Sequence, residues 1–198
     1  MEEKKGTYMR AERKALVRSW LIEIAAISFF AALTALTARI AIYLPLSPVP
    51  VTGQVLAVVL SGLILGSRRG ALSQAEYLVA GLAGLPIFAG GRSGPASLFG
   101  PTGGYLVSFV LAAFVAGFIS ERLRFDARLS AFVASMAAVA VIYSGGTSWL
   151  AVWLGGDLAH AWELGAAPFI IVDLGKALLA AFVVSGGRGI FSRLRSGF

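Results

Sequence analysis

Leu85-Pro-Ile-Phe-Ala-Gly-Gly-Arg-Ser-Gly-Pro-Ala-Ser-Leu-Phe-Gly-Pro-Thr-Gly-Gly-Tyr105 lies near the middle of the chain, between long apolar runs. From Pro86 to Gly104, nine of nineteen residues are Gly or Pro, so no regular helix crosses the stretch. It is not polar in the way a linker is, because Ile87, Phe88, Leu98 and Phe99 are poor residues to leave in water. It reads as a loop folded back onto the rest of the protein.

The flanking runs set the class. Of 198 residues, 58% are hydrophobic and 14% charged, with a mean hydropathy of +0.82, far outside the range of a soluble domain. The chain is read as an integral membrane protein. The absence of cysteine excludes disulfides and thiolate metal sites. The net charge of +7 does not point to nucleic acid, since the basic residues fall at the termini and in short loops and not on one amphipathic face. The first 20 residues are strongly charged, and the apolar run after them is of similar length with no small-residue cleavage site, which argues for an uncleaved first span.

A helix needs roughly 20 apolar residues to cross about 30 Å of hydrocarbon. Six spans are expected: Ile22–Leu44, Thr52–Gly66, Gly70–Leu85, Gly103–Ser120, Leu129–Leu154 and Ala166–Ser185. Lys4, Lys5, Arg10, Arg13, Lys14 and Arg18 precede span one, Arg68 and Arg69 follow span two, Arg122, Arg124 and Arg128 follow span four, and Arg188, Arg193 and Arg195 follow span six. The other loops carry only Arg92, Asp157, His160 and Glu163. This alternation places both termini in the cytoplasm and the central glycine loop outside. The expected fold is all-α, with a cytoplasmic amino-terminal segment over 1–21, a membrane domain over 22–185 and a basic cytoplasmic tail over 186–198. The segment up to Arg18 is either an amphipathic surface helix or disordered. Pro45, Pro48 and Pro50 make the first outer loop a stiff connector, and a short helix is expected around Leu158–Leu164.

A charge at a helix centre costs about 2.5–3.5 kcal/mol on insertion scales, so Glu76, Asp173 and Lys176 need a reason. Asp173 and Lys176, three residues apart, share one helical face. They are either a structural ion pair or a clamp that accepts from N–H groups and donates to a carbonyl or anion. Asp173 lies about 10 Å, and Glu76 about 13 Å, below the outer ends of their spans, deep enough to line one outward cavity. Glu76 equally suits pairing with a basic loop or a neighbouring helix. Gln54 either faces a cavity or caps its own helix. Arg39 is expected to snorkel to the interface. His160, the sole histidine, lacks the partners for a metal site or a triad. Gly90-Gly91 and Gly103-Gly104 are turn formers or let backbone N–H groups converge on an anion. With neither GxGxxG nor a P-loop lysine, no nucleotide or other cofactor is expected. Phe88, Phe99 and Tyr105 divide between interface belt and ligand stacking. Ala31-xxx-Ala35, continued by Ala38, allows close helix approach.

Gly84-Leu-Pro-Ile-Phe-Ala-Gly-Gly91, Gly100-Pro-Thr-Gly-Gly-Tyr105 and Pro168-Phe-x-x-x-Asp-Leu-x-Lys176 together resemble the BioY family, the biotin-specific substrate-capture component of energy-coupling factor transporters. Val49-Pro-Val-Thr-Gly-Gln54 and Tyr77-Leu-x-x-Gly81 are also similar to the family pattern, and the likeness covers roughly residues 22–185. Gly53, Ile171-Val172 and Glu76 depart from it. The resemblance implies a six-helix protein of the prokaryotic plasma membrane that holds biotin in an outward cavity roofed by loops. It further implies an energy-coupling transmembrane subunit and an ATPase pair as partners. By motif, Asp173 and Lys176 would hold the ureido ring, Tyr77 and Tyr105 would line the site, and Gly90, Gly91 and Arg92 would sit near the carboxylate. Gln54 and Glu76 are carried as further candidates. Ala31 and Ala35 would meet the coupling subunit. The central loop becomes the expected lid. The alternatives are a capture component for another vitamin and a proton-coupled carrier; an enzyme lacks a convincing nucleophile, base or metal set.

Overall fold

The computed structural model describes residues 2–123 and 125–196, with side chains placed over 18–123 and 125–187. The order is α1 (Glu2–Thr37), a hairpin of β1 (Ala41–Ile42) and β2 (Val51–Thr52), α2 (Gln54–Leu65), α3 (Ser67–Leu82), a 3-10 turn (Ala89–Gly91), α4 (Ala96–Phe99), α5 (Gly103–Arg122), α6 (Ala127–Trp153), α7 (Leu158–Gly165), a second 3-10 turn (Ala167–Phe169) and α8 (Ile170–Ser196). Among the described residues, four helical stretches are long and apolar enough to cross a membrane: Arg18–Thr37, Gly103–Arg122, Ala127–Trp153 and Leu158–Gly187. The apolar helix Gln54–Leu65 is shorter.

Several boundaries differ from expectation for identifiable reasons. The first apolar helix stops at Thr37 and not near Leu44, because the chain turns into the hairpin, where Ala41 pairs with Thr52 and Ile42 with Val51. Arg68 and Arg69 lie within α3 and not in a loop. Gly66 alone joins α2 to α3, and its φ of 84° supplies the left-handed turn that a side chain would resist. The last long helix starts at Ile170, after Pro168 has fixed a 3-10 turn. The short helix expected before it is present as α7.

Helix packing rests on small residues. Ala57, Ala112, Ala113, Ala116, Ala134 and Ala138 are buried, whereas Phe29, Leu36, Leu111 and Phe182 face outward. In lipid, outward apolar surface gains nothing by burial against other helices, so close backbone approach decides association. A Cβ on Gly62 would run into the Ala113 carbonyl, one on Gly70 into the backbone of Gly62, and one on Gly117 into the start of α3. Those contacts join α2, α3 and α5. Gly104, Gly145 and Gly146 do the same for α5 and α6, with Gly146 lying under the Tyr105 ring.

One polar cluster inside the bundle satisfies itself across three helices. Thr34 Oγ1 lies 3.2 Å from Gln74 Oε1, and Gln74 Nε2 donates to Ser61 Oγ at 3.2 Å and Ser73 Oγ at 3.1 Å, tying α1, α2 and α3 at one level. Ala31 is buried in the same core and Ala35 packs against it, so this small-residue face is covered largely within the chain. α3 and α2 are the elements that pack on α1, and Ala35 keeps part of its surface open.

Candidate functional site

The hairpin, the 85–102 segment and α7 close one end of the bundle over a cavity with about 650 Å³ of open space, its mouth included. α8 supplies the floor. Asp173, 3% exposed, sits in its first turn. Its Oδ1 accepts from Lys176 Nζ at 2.6 Å and its Oδ2 from Tyr143 Oη at 2.6 Å. Lys176 Nζ also donates to the Thr52 carbonyl at 2.7 Å, which joins α8 to the hairpin. The i, i+3 spacing aligns the pair on one face, and α6 brings Tyr143 against it. Asp173, Lys176, Tyr143 and Thr52 all line the cavity.

A carboxylate offers about four acceptor sites and an ammonium three donors. Two donors reach Asp173 and two acceptors take Lys176 hydrogens. The carboxylate therefore retains room for two N–H groups and the ammonium one hydrogen for a carbonyl. Around this polar floor the wall is apolar, with Phe88, Phe109, Ile142 and Phe169.

Gln54, 3% exposed, opens α2 at the cavity wall. Its Nε2 donates to Tyr77 Oη at 2.7 Å, and that hydroxyl donates to the Ile87 carbonyl at 3.2 Å. Since the Tyr77 hydrogen is committed to Ile87, the Gln54 amide must turn its NH2 toward the phenol. Tyr77 is buried behind the wall and does not line it; its ring meets Phe88 edge-on at 5.5 Å, and Phe88 lies flush on Gly81. Tyr105 does line the cavity, and its hydroxyl donates to the Gly165 carbonyl at 2.8 Å.

Arg92 stands at the mouth. Its Nε donates to the Ala89 carbonyl at 3.0 Å, and its terminal nitrogens carry no hydrogen bond among the described residues. Gly90 and Gly91, with φ of 72° and 73°, make the turn that aims it. They do not line the cavity, and the Gly91 N–H donates to Phe88 O at 2.9 Å. Glu76 is exposed on α3 and lies outside the cavity. One residue before an inward Tyr77, helical geometry turns it about 100° away. Arg39, expected at the interface, donates from Nη2 to the Pro86 carbonyl at 2.7 Å and so pins the central loop. His160 is on α7, 3.8 Å from the Glu163 carboxylate, and no metal-ligating group of three is present among the described residues.

Sequence reasoning missed Tyr143 and the Thr52 carbonyl. The signal for Tyr143 was a hydroxyl at mid-span opening the run Tyr143-Ser-Gly-Gly-Thr147, polar and small in an otherwise alanine-rich helix. Nothing local marked the Thr52 carbonyl, because any residue there would present one.

Comparison with known proteins gives concordant results. The profile described as the BioY family matches residues 9–193. The probable biotin transporter BioY of Pyrococcus horikoshii is 38% identical over 167 residues, covering 84% of this chain and 96% of that protein. The biotin transporter BioY of Thermotoga maritima is 40% identical over 142 residues, covering 72% and 82%. The crystal structure of the S-component for biotin from an ECF-type ABC transporter superposes with a TM-score of 0.81 at 25% identity, covering 87% of this chain and 93% of that one.

Proposed function

The chain belongs to the BioY family, and on that premise we propose that it captures biotin on the Asp173–Lys176–Tyr143 floor and hands it on within an ECF-type transporter. It is a substrate-binding transport subunit and not an enzyme. The observation that carries the site assignment is the valence count at the floor. Biotin's ureido ring has two N–H donors and one carbonyl, the complement of the acceptor room on Asp173 and the one spare hydrogen of Lys176. The apolar bicycle meets Phe88, Phe109 and Phe169, and the carboxylate tail reaches toward Arg92 at the mouth.

Entry is assigned to the hairpin and not to the central glycine loop. The 85–102 segment is held by Arg39 on Pro86, Tyr77 on Ile87, Trp149 on Gly100 at 2.9 Å and Trp153 on Phe99 at 3.2 Å. The hairpin has a ladder of two residue pairs, supported from outside by Ser47 Oγ donating to Leu164 O at 2.7 Å and by Lys176 on Thr52. Fewer ties make it the part that yields.

Six membrane crossings with both termini cytoplasmic complete the proposal, with 22–185 as the membrane domain between the cytoplasmic segments 1–21 and 186–198. α2, at 12 residues, is about 18 Å long, so α2 and α3 cross where the bilayer thins. The partners are an energy-coupling transmembrane subunit and an ATPase pair, and the site of action is the prokaryotic plasma membrane. The test is isothermal titration of detergent-purified protein with biotin, comparing wild type, Asp173→Asn and Lys176→Ala. Loss of affinity in both variants supports the site, and wild-type affinity in both removes it.

A further inference from the structure

At the opposite end of the bundle, α6 and α8 leave a crevice lined by Asp126, Arg128, Leu129, Phe132, Leu178 and Phe182, with about 570 Å³ of open space including its mouth. Its walls are apolar and open to the surroundings: Leu129 is 50% exposed, Leu178 44% and Phe182 60%. Its rim carries both signs of charge. Asp126 caps α6 through Oδ2, which accepts from the Arg128 N–H at 3.0 Å, and its second oxygen has no partner among the described residues. The Arg128 guanidinium lies 5.7 Å from the Phe182 ring centroid and makes no ion pair to a described residue.

We propose that this crevice binds an amino-bearing zwitterionic phospholipid, its phosphate on Arg128, its primary ammonium on Asp126 and one acyl chain along Leu129, Leu178 and Phe182. A lone arginine would suit an anionic headgroup. The adjacent unpartnered carboxylate oxygen adds a requirement for a donor of opposite charge, which a phosphoethanolamine headgroup meets and a phosphoglycerol headgroup does not. The apolar stretch from Leu178 to Phe182 spans about 6 Å of α8. That suits an acyl chain better than a partner helix, whose diameter with side chains is about 10–12 Å. Sitting with Arg68, Arg69 and Arg122 at the basic end of the bundle, the site belongs to the cytoplasmic leaflet.

The test uses the full chain purified in maltoside detergent, with thermal unfolding followed as phosphatidylethanolamine, phosphatidylcholine or phosphatidylglycerol is added. At tenfold over its dissociation constant, phosphatidylethanolamine raises the midpoint by about 3–6 °C. Phosphatidylcholine keeps the shape and charge but lacks N–H donors, so it gives less than half of that shift. Asp126→Asn, which still caps the helix, removes the difference between those two lipids. Arg128→Gln lowers both responses, Leu178→Trp fills the crevice and abolishes them, and Arg122→Gln leaves them intact. Free glycerophosphoethanolamine gives no shift. Equal stabilisation by all three lipids, or a phosphatidylethanolamine preference that survives both Asp126→Asn and Leu178→Trp, overturns the proposal. Biotin affinity, read in parallel, is unchanged in every variant, so this test stands apart from that of the substrate site.

Discussion

Asp173 remains a buried carboxylate at 3% exposure because its burial is matched by charge and by hydrogen bonds: an ammonium at 2.6 Å on one oxygen and a phenol at 2.6 Å on the other. Removing either partner is expected to act differently. Lys176→Met leaves an uncompensated carboxylate and destabilises the fold by about 3–5 kcal/mol. The double variant Asp173→Asn with Lys176→Met removes both charges and recovers much of that loss, while biotin binding stays absent. Thermal unfolding beside titration separates the two effects. Tyr143→Phe keeps the ring and deletes one charge-assisted bond, so it costs about 1.5–3 kcal/mol of biotin affinity through a less firmly held carboxylate; unchanged affinity would show that the phenol only fills space. At this scale the polar pair was legible from spacing alone, since two charges three residues apart in an apolar run have few other uses. Tyr143 was not, because contact between α6 and α8 is a tertiary fact. Glu76 was assigned by depth, which fixes height along a helix but not direction around it.

Among elements, the glycines set how near the helices come and therefore where the site residues stand. Gly146→Val would drive a side chain into the Tyr105 ring, moving a cavity wall and the hydroxyl that holds Gly165. The expected result is a lower unfolding midpoint together with at least tenfold weaker biotin binding, about 1.4 kcal/mol. Ser47→Ala deletes the tie from the hairpin to α7 and leaves the cavity lining intact. It is expected to speed biotin release by about fivefold, the equivalent of a net hydrogen bond near 1 kcal/mol, whereas Trp153→Phe, which deletes one of several anchors of the central loop, leaves release unchanged. Stopped-flow dissociation against a competitor distinguishes them, and the reverse pattern would return the lid to the glycine loop. Helix existence was readable from apolar run length. Helix ends were less so: Thr37 and Ile170 are set by a two-pair hairpin and a 3-10 turn at Pro168 that interrupt apolar runs. The glycine segment was readable as crossed by no long helix and folded back, though not as holding the single turn α4, and its anchors, Arg39, Trp149 and Trp153, come from distant parts of the chain and left no local mark.

For the whole molecule, the alternation of basic residues along the sequence predicts that the crevice end faces the cytoplasm and the cavity of Asp173 faces the outside. The absence of cysteine makes this directly testable with single introduced thiols. Ser93→Cys is expected to react with a membrane-impermeant maleimide in intact cells, and Phe125→Cys only after permeabilisation. The opposite accessibility would invert the topology. Asp173 lies near the start of α8, so an outward mouth places the polar floor within about 10 Å of the surface, where a substrate reaches it without crossing the bilayer. Titration of the purified wild-type chain and of Asp173→Asn with biotin tests the central claim most directly: tight one-to-one binding by the wild type and affinity at least thirtyfold weaker in the variant, about 2 kcal/mol, are expected, and equal affinity in the two proteins would contradict it.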